Sequence, residues 1–268
     1  MTMLLAVDVG NTNVVAALFE NDEIVHEWRI KTDRDRTGDE YLALLTILLK
    51  SDNFSTDKIS DGVLSSVVPA LVGPFISVFE RIIGKKPVLV GPDIYPELPV
   101  TIPDSAYYEI GSDLVCNATA AYTLWKTACI IIDFGTALTF TTVDESGKIA
   151  GVAIAPGLKT AVKSLFDGTA QLPEVSLVAP KDSLGLNTIQ SIQSGIVLGY
   201  KGLVEGLIAR IKDDLSKKTG IAQDKIRVIA TGGLNSVLKP ITDVFQEVDK
   251  KLTLRGLKII ADTVRIKK

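Results

Sequence analysis

Two short segments of the 268-residue sequence carry a carboxylate, a glycine and small polar donors in close order: Asp8-Val9-Gly10-Asn11-Thr12 and Asp133-Phe134-Gly135-Thr136. Glycine lets a backbone turn approach a phosphate closely, and the turn amides with the Asn11 and Thr12 side chains supply donors. An ionised Asp8 is an acceptor only and suits a magnesium ion or its water shell. Met once, a D-x-G turn fits a polar hairpin as well as it fits a phosphate. Its recurrence favours the phosphate. A third segment, Ala230-Thr231-Gly232-Gly233, follows what reads as a buried strand, Ile226–Ile229, and its two glycines would let a flat base or ribose lie against backbone. Alone it would be an ordinary strand-to-helix turn; as the third of three turns in this order it points to a nucleotide.

Other chemistries lack their residues. No G-x-x-x-x-G-K-[ST] run occurs, which argues against a P-loop enzyme. The single histidine, His26, reads as a solvated strand residue and leaves no material for a Ser-His-Asp hydrolase or a histidine-rich metal site. Cys116 and Cys129 lack the paired spacing of a metal site and read as buried, inert thiols that suit a reducing cytoplasm. With a net charge of −3 and no Lys/Arg stripe, no nucleic-acid partner is expected. Apolar runs such as Ala128–Ile132 are far shorter than the ~20 residues a bilayer requires, and Met1–Val9 runs directly into a strand pattern, so neither a membrane partner nor a signal peptide is expected.

The elements that hold the two turns repeat. Leu4–Val9, Val14–Phe19 and Ile24–Ile30 read as a three-strand meander, and the pattern returns at Ile130–Asp133, Thr139–Val143 and Ile149–Ile154. The copies align without gaps, Asp8 on Asp133 and Ile24 on Ile149, at a constant offset of 125. Such a register indicates a duplicated unit. After the first copy come a helix over Asp39–Lys50, a buried strand Ile59–Val67, a helix Pro69–Ile83 and a strand Pro87–Val90; after the second come helices near Leu158–Phe166, Thr188–Lys217 and Leu254–Val264 and the strand Ile226–Ala230. The chain length suits two domains, drawn at residues 1–116 and 117–268.

Paired phosphate turns on duplicated domains resemble the actin/hexokinase/Hsp70-like ATPases. The resemblance implies an α/β protein of two duplicated ribonuclease H-like (actin-like ATPase) domains, each a mixed sheet with flanking helices, with the active site in the interdomain cleft. A narrower match then emerges. "AVDVGNTN", "WRIKTDRDRTGDEY", "VLSSVVP", "IIIDFGTALTF", "GVAIAPGL", "TAQLP", "GLNTIQSIQSGIVLGY", "VIATGGL" and "LTLRGL" resemble, in order, the type III pantothenate kinases over about residues 4–258.

That resemblance implies transfer of the γ-phosphoryl group of ATP to the primary hydroxyl of pantothenate, the first step toward coenzyme A, by a cytoplasmic homodimer. It assigns ATP, with Mg2+, to Asp8, Val9, Gly10, Asn11, Thr12, Asn13, Val14, Val15 and Thr136. Asp133 would hold a monovalent cation, K+ or NH4+, and Thr188 would touch the substrate. The family's substrate motif, G-A-D-R, falls on Gly111, Ser112, Asp113 and Leu114. Asp113 would be the general base, its alternative role being to cap the helix that starts there. Leu114 cannot supply the motif's guanidinium, an interaction worth about 1.5–3 kcal/mol. Asp104 stands where a tyrosine is common and Leu138 where a threonine is usual. Because these departures fall on the acceptor end, two alternatives stand beside the kinase reading: a paralogue acting on another small hydroxyl metabolite, or a nucleotide-binding regulatory protein.

Overall fold

The computed structural model describes residues 2–169 and 172–266, so Ala170 and Gln171 of the TAQLP segment lie outside the described residues. The chain forms two compact units, Met1–Thr123 with Leu252–Lys268, and Leu124–Lys251.

In the first unit β1 (Met3–Val9), β2 (Asn13–Glu20) and β3 (Glu23–Lys31) form the expected antiparallel meander. Helix α1 (Gly38–Ser51) leads to β4 (Ile59–Ser66), and α2 (Pro69–Ile83) to the short β5 (Val88–Leu89). The sheet order is β3-β2-β1-β4-β5, with β4 parallel to β1 and β5 parallel to β4. Thr37 caps α1 in a capping box: its hydroxyl accepts from the Glu40 amide and the Glu40 carboxylate accepts from the Thr37 amide. The core joins Leu5, Val7, Leu18, Leu64 and Phe79 of strands and helices. Helix α3 (Ser112–Trp125) follows, buried along most of its length by small residues, among them Cys116, Ala118, Ala120 and Ala121 at 0% exposure.

The second unit repeats the plan. Strands β6 (Cys129–Phe134), β7 (Ala137–Val143) and β8 (Ile149–Pro156) form a meander, and helices α4 (Leu158–Asp167), α5 (Thr188–Gln193) and α6 (Gly199–Thr219) follow. Strand β9 (Arg227–Thr231), α7 (Asn235–Leu238) and β10 (Glu247–Val248) complete the sheet order β10-β9-β6-β7-β8, with β9 parallel to β6. Each unit is thus a mixed five-stranded sheet with flanking helices, as expected.

Three expectations about the elements and their division need correction. First, the repeat is not gapless. Asp8 takes the ladder position of Asp133 and Ile24 that of Ile149, but Asp8 faces Val15 where Asp133 faces Thr139, so the middle strand is offset by 124. The first turn is one residue shorter in the second copy and the second turn one longer, and the two changes cancel over the meander. Second, the Thr188–Lys217 segment is not uniform α-helix: a π turn over Ser194–Leu198 separates α5 from α6. Third, the final helix, α8 (Leu252–Ile266), belongs to the first unit, and the division falls at Thr123/Leu124.

The physical reason for the last is packing. Leu257, Ile260, Ala261 and Val264 are buried on α8, which packs against β1 and β4. Gly256 lies so close to the Cys116 carbonyl that a Cβ there would overlap it, and Thr253 Oγ1 donates to Asn117 Oδ1 at 2.8 Å. His26 is half-buried instead of solvated, stacked on Trp28 (4.6 Å) and Phe54 (5.6 Å) with Nε2 3.3 Å from Asp52.

Candidate active site

In the first unit β1 ends on Asp8 and Val9, and Gly10, Asn11 and Thr12 turn the chain into β2, which contributes Asn13, Val14 and Val15. The turn is braced from outside. The Gly10 amide donates to the Asn13 carbonyl at 3.0 Å, Thr32 Oγ1 donates to the Gly10 carbonyl at 2.6 Å, and the Thr32 amide donates to the Thr12 carbonyl at 3.0 Å. A Cβ on Gly10 would lie 3.0 Å from the Asn13 oxygen, so the hairpin is tight. Arg34 Nη2 donates to Asn11 Oδ1 at 2.8 Å, which brings a guanidinium to the rim of this turn.

Asp8 does not stand alone. β4 runs beside β1 with Ser65 opposite Asp8 and Ser66 opposite Val9, and Ser65 Oγ donates to Asp8 Oδ1 at 2.9 Å. Ser65 Oγ also lies 2.9 Å from Ser112 Oγ, the first residue of α3, and Ser112 Oγ accepts from the Ser66 amide at 3.1 Å. The Gly10 turn and the Gly111–Leu114 segment are therefore joined within one unit by hydrogen bonds.

Asp113 occupies the first turn of α3, where its Oδ1 accepts from the Leu114 amide at 2.8 Å. A carboxylate there is favoured by the exposed amides of a helix start. Burial pushes the Asp113 carboxyl above its ordinary 3.8, opposed by the hydrogen bond from Leu114. Gly111 makes room for it, since a Cβ would sit 2.5 Å from Asp113 Oδ1. Leu114 is 7% exposed, a packed side chain in the motif's arginine position. Cys116, one turn along α3, is fully buried as expected, and its thiol is held well above its ordinary value by burial and then by the Asp8 and Asp113 charges.

In the second unit Asp133 is the penultimate residue of β6, half-buried as Asp8 is in β1. Gly135 and Thr136 form the turn into β7. The Thr136 carbonyl accepts from the Gly157 amide at 3.0 Å and from Thr160 Oγ1 at 2.8 Å, so the start of α4 backs this turn. Gly232 has φ +82, and a Cβ on it would lie 2.5 Å from Asp133 Oδ1 and 2.7 Å from the Phe134 amide nitrogen. Both the left-handed backbone and the lack of space require glycine. The Ala230–Gly233 turn, read from sequence as a nucleoside surface, thus lies against the Asp133 carboxylate. Beneath it Asn235, 1% exposed, donates from Nδ2 to the Gly232 carbonyl at 2.5 Å and leaves Oδ1 without a protein partner.

Thr188 starts α5 and lines a cavity of about 430 Å³ with Leu165, Leu172, Ser191 and Ile192; no residue of the two glycine turns lines it. Among the described residues no three His, Cys, Asp or Glu side chains gather to cage a metal. Mg2+ bound through phosphates needs only one or two carboxylates, so Asp8 fits it. Asp133, an oxygen donor at the Phe134–Gly135 turn, fits a monovalent cation. Among the described residues, no helix is long and apolar enough to cross a membrane.

Ser65, Ser66 and Thr32 were not singled out from the sequence. The signal was present for the serines: hydroxyls at the C-terminal end of a strand directly after the buried pair Val63-Leu64.

The sequence profile of the type III pantothenate kinases matches residues 4–210. Curated relatives of that name include a protein of Syntrophotalea carbinolica, 40% identical over 96% of this chain and 98% of its own, and one of Geobacter sulfurreducens, 39% identical over 98% and 100%. Among solved structures, a protein described as a Baf family transcriptional activator from Campylobacter jejuni superimposes with a TM-score of 0.56 at 18% identity, covering 98% of this chain and 99% of that one. MreB 5 of Spiroplasma citri, bound to AMPPNP, does so with a TM-score of 0.52 at 10% identity, covering 100% and 98%. These distant likenesses carry the fold. The sequence relationship carries more: the chain belongs to the type III pantothenate kinase family, enzymes that use ATP to phosphorylate pantothenate in coenzyme A biosynthesis.

Proposed function

We propose that Asp113 is the general base of this kinase and that the Asp8–Val15 segment with Thr136 receives ATP. The observation that carries the reading is the pair of carboxylates in the first unit, Asp8 on the Gly10 turn and Asp113 at the start of α3, tied through Ser65 and Ser112. Asp113 accepts the proton of the primary hydroxyl of pantothenate as that oxygen bonds to the γ-phosphorus and the bond to the β-phosphate oxygen breaks, releasing ADP. Its raised pKa makes it a stronger base than an ordinary aspartate. The Asn11 and Thr12 amides and side chains would face phosphate oxygens, while the Gly10 amide is taken by the Asn13 carbonyl and holds the turn. Mg2+, when bound with ATP at Asp8, supplies neutralisation of phosphate charge, and K+ or NH4+ at Asp133 supplies a further positive charge.

On the acceptor side, Gly111 and Ser112 shape the approach to Asp113, and Thr188 contributes from α5. Leu114 cannot pair with the anionic part of pantothenate. Arg34, held at Asn11, is a candidate for a compensating cation, as are Arg36 and Lys159.

We assign the working form to a homodimer in the cytoplasm. Support for association comes from the second unit, where Phe166, Leu184, Leu186 and Ile189 are exposed around α4 and α5, and from the apolar edge strand β8, where Ile154 is 69% exposed. Free, buried Cys116 and Cys129 suit a reducing compartment.

The decisive test is ADP release with ATP, Mg2+ and K+, with and without pantothenate. Wild type should release ADP in a pantothenate-dependent way, and Asp113→Asn should lose about 10²- to 10⁴-fold in kcat. Full turnover in Asp113→Asn would remove the general-base assignment.

A further inference from the structure

The hydrogen bonds between Asp8 and α3 have only one consistent direction. Ser65 has one hydroxyl proton, and the Asp8 carboxylate, when ionised, can only accept it. At the 2.9 Å contact between the serines Ser112 must therefore be the donor, and its own oxygen takes the Ser66 amide. The chain runs Ser66 N–H to Ser112 to Ser65 to Asp8, every member donating toward the carboxylate. Bonds aligned in one sense polarise and strengthen one another in a dry setting, and Ser65 is 0% and Ser112 7% exposed.

The chain also spans two jobs. One end holds an oxygen of the carboxylate on the Gly10 turn; the other is the first residue of α3, directly before Asp113. The sheet register explains why Ser65 reaches Asp8: in the parallel β1–β4 ladder the two residues are opposite and their side chains leave the same face. Alanine at either serine position would end the chain, while leaving the sheet ladder untouched.

We infer that Ser65 and Ser112 are positioning residues that couple the orientation of the Asp8 carboxylate to the placement of Asp113. The inference rests on the assignment of Asp8 to the nucleotide. Neither serine is a catalytic residue on this account; both act through the carboxylates.

The test is a double-mutant cycle in the intact enzyme, with kcat and the KM values for MgATP and for pantothenate measured separately. Ser65→Ala should cut kcat/KM for MgATP by roughly tenfold to a hundredfold, and Ser112→Ala by about three- to tenfold. Because both break one chain, Ser65→Ala/Ser112→Ala should fall within about twofold of Ser65→Ala alone. Ser112→Thr, which retains the hydroxyl, should recover most of the kcat/KM for MgATP that Ser112→Ala loses, a rescue that simple packing at a helix start would not produce. If Ser65→Ala does not fold, Ser65→Cys, close in volume and a weak donor, takes its place in the cycle. Losses that multiply, or serine variants with wild-type constants while Asp8→Asn is impaired, overturn the inference and leave the nucleotide reading standing. An Asp8→Asn enzyme with full use of MgATP overturns both.

Discussion

The two units build the same turn after the same strand and support it by different means. In the first, Gly10–Thr12 is ringed by side chains: Thr32 holds two of its carbonyls, Arg34 reaches Asn11, and Ser65 grips Asp8. In the second, Gly135–Thr136 is one residue shorter and, beyond the one Thr160 hydroxyl on the Thr136 carbonyl, is held by close backbone contact, with Gly157 and Gly232 lying where any side chain would collide. Duplication thus retained the ladder and its carboxylate while the supports diverged. Side-chain support can be altered with little strain on the fold, whereas backbone support cannot. Catalytic and structural sensitivity should therefore separate between the units. The outer strands differ in the same spirit. β3 carries Glu23, Glu27, Arg29 and Lys31, the charges that discourage edge pairing, whereas exposed β8 reads Ala150-Gly151-Val152-Ala153-Ile154.

The largest effect expected is that of Asp113→Asn, and its pH dependence sharpens the comparison. Only ionised Asp113 accepts a proton, so kcat/KM of the wild type should fall as pH drops through a value above 3.8, with that limb absent in the variant. Stability should move the other way. Because the folded pKa lies above the unfolded one, the folded state binds more protons between the two, and the cost of burying the charge is present at neutral pH and relieved as pH falls through that window. Asp113→Asn should accordingly unfold no sooner than wild type at neutral pH, a pairing of lost activity with retained stability that thermal melts can check.

Gly232→Ala in the second unit should do the reverse in kind. A left-handed φ and contact with Asp133 and Phe134 predict about 2–4 kcal/mol of destabilisation, visible as a lower urea midpoint, together with weaker ATP binding. A fully stable Gly232→Ala protein would break the distinction between side-chain and backbone support. Next in size, Leu114→Arg should lower KM for pantothenate by up to about tenfold, at a stability cost of roughly 1–3 kcal/mol for forcing a longer side chain into a packed site. An unchanged KM would mean that recognition runs elsewhere, with Arg34→Ala the next variant to assay. The smallest effect on the fold belongs to Ile154→Lys, which should leave melting within about 0.5 kcal/mol while shifting light scattering from dimer toward monomer. A wild type that is monomeric at assay concentrations would remove the homodimer.

Much of this was readable in the residues. The short β-rich runs of the two meanders, such as Leu4–Val9 and Ile130–Asp133, the turns between them and the Asp-x-Gly segments are local signals, set by side-chain type and glycine freedom. The meander repeat was legible, but its one-residue offset on the middle strand was not, because a shortened first turn and a lengthened second restore the count. Nor was the π turn at Ser194–Leu198, which keeps a helical apolar pattern on either side. The final helix was assigned to the nearer half by sequence proximity; its burial on β1 and β4 is a non-local packing choice that proximity does not encode.

The candidate site divides the same way. Asp8, Asp133 and the three glycine turns were legible in the sequence because the same turn chemistry recurs in order, and Asp113 through the resemblance of Gly111–Leu114 to a family motif. The tertiary structure alone decided that Ser65 stands beside Asp8, that Ser112 completes the chain, that Gly232 lies against Asp133, and that Leu114 is packed rather than open. Each of these depends on strand register or helix docking across tens of residues, and a buried strand hydroxyl shows its purpose only when the neighbour it must hydrogen-bond is known.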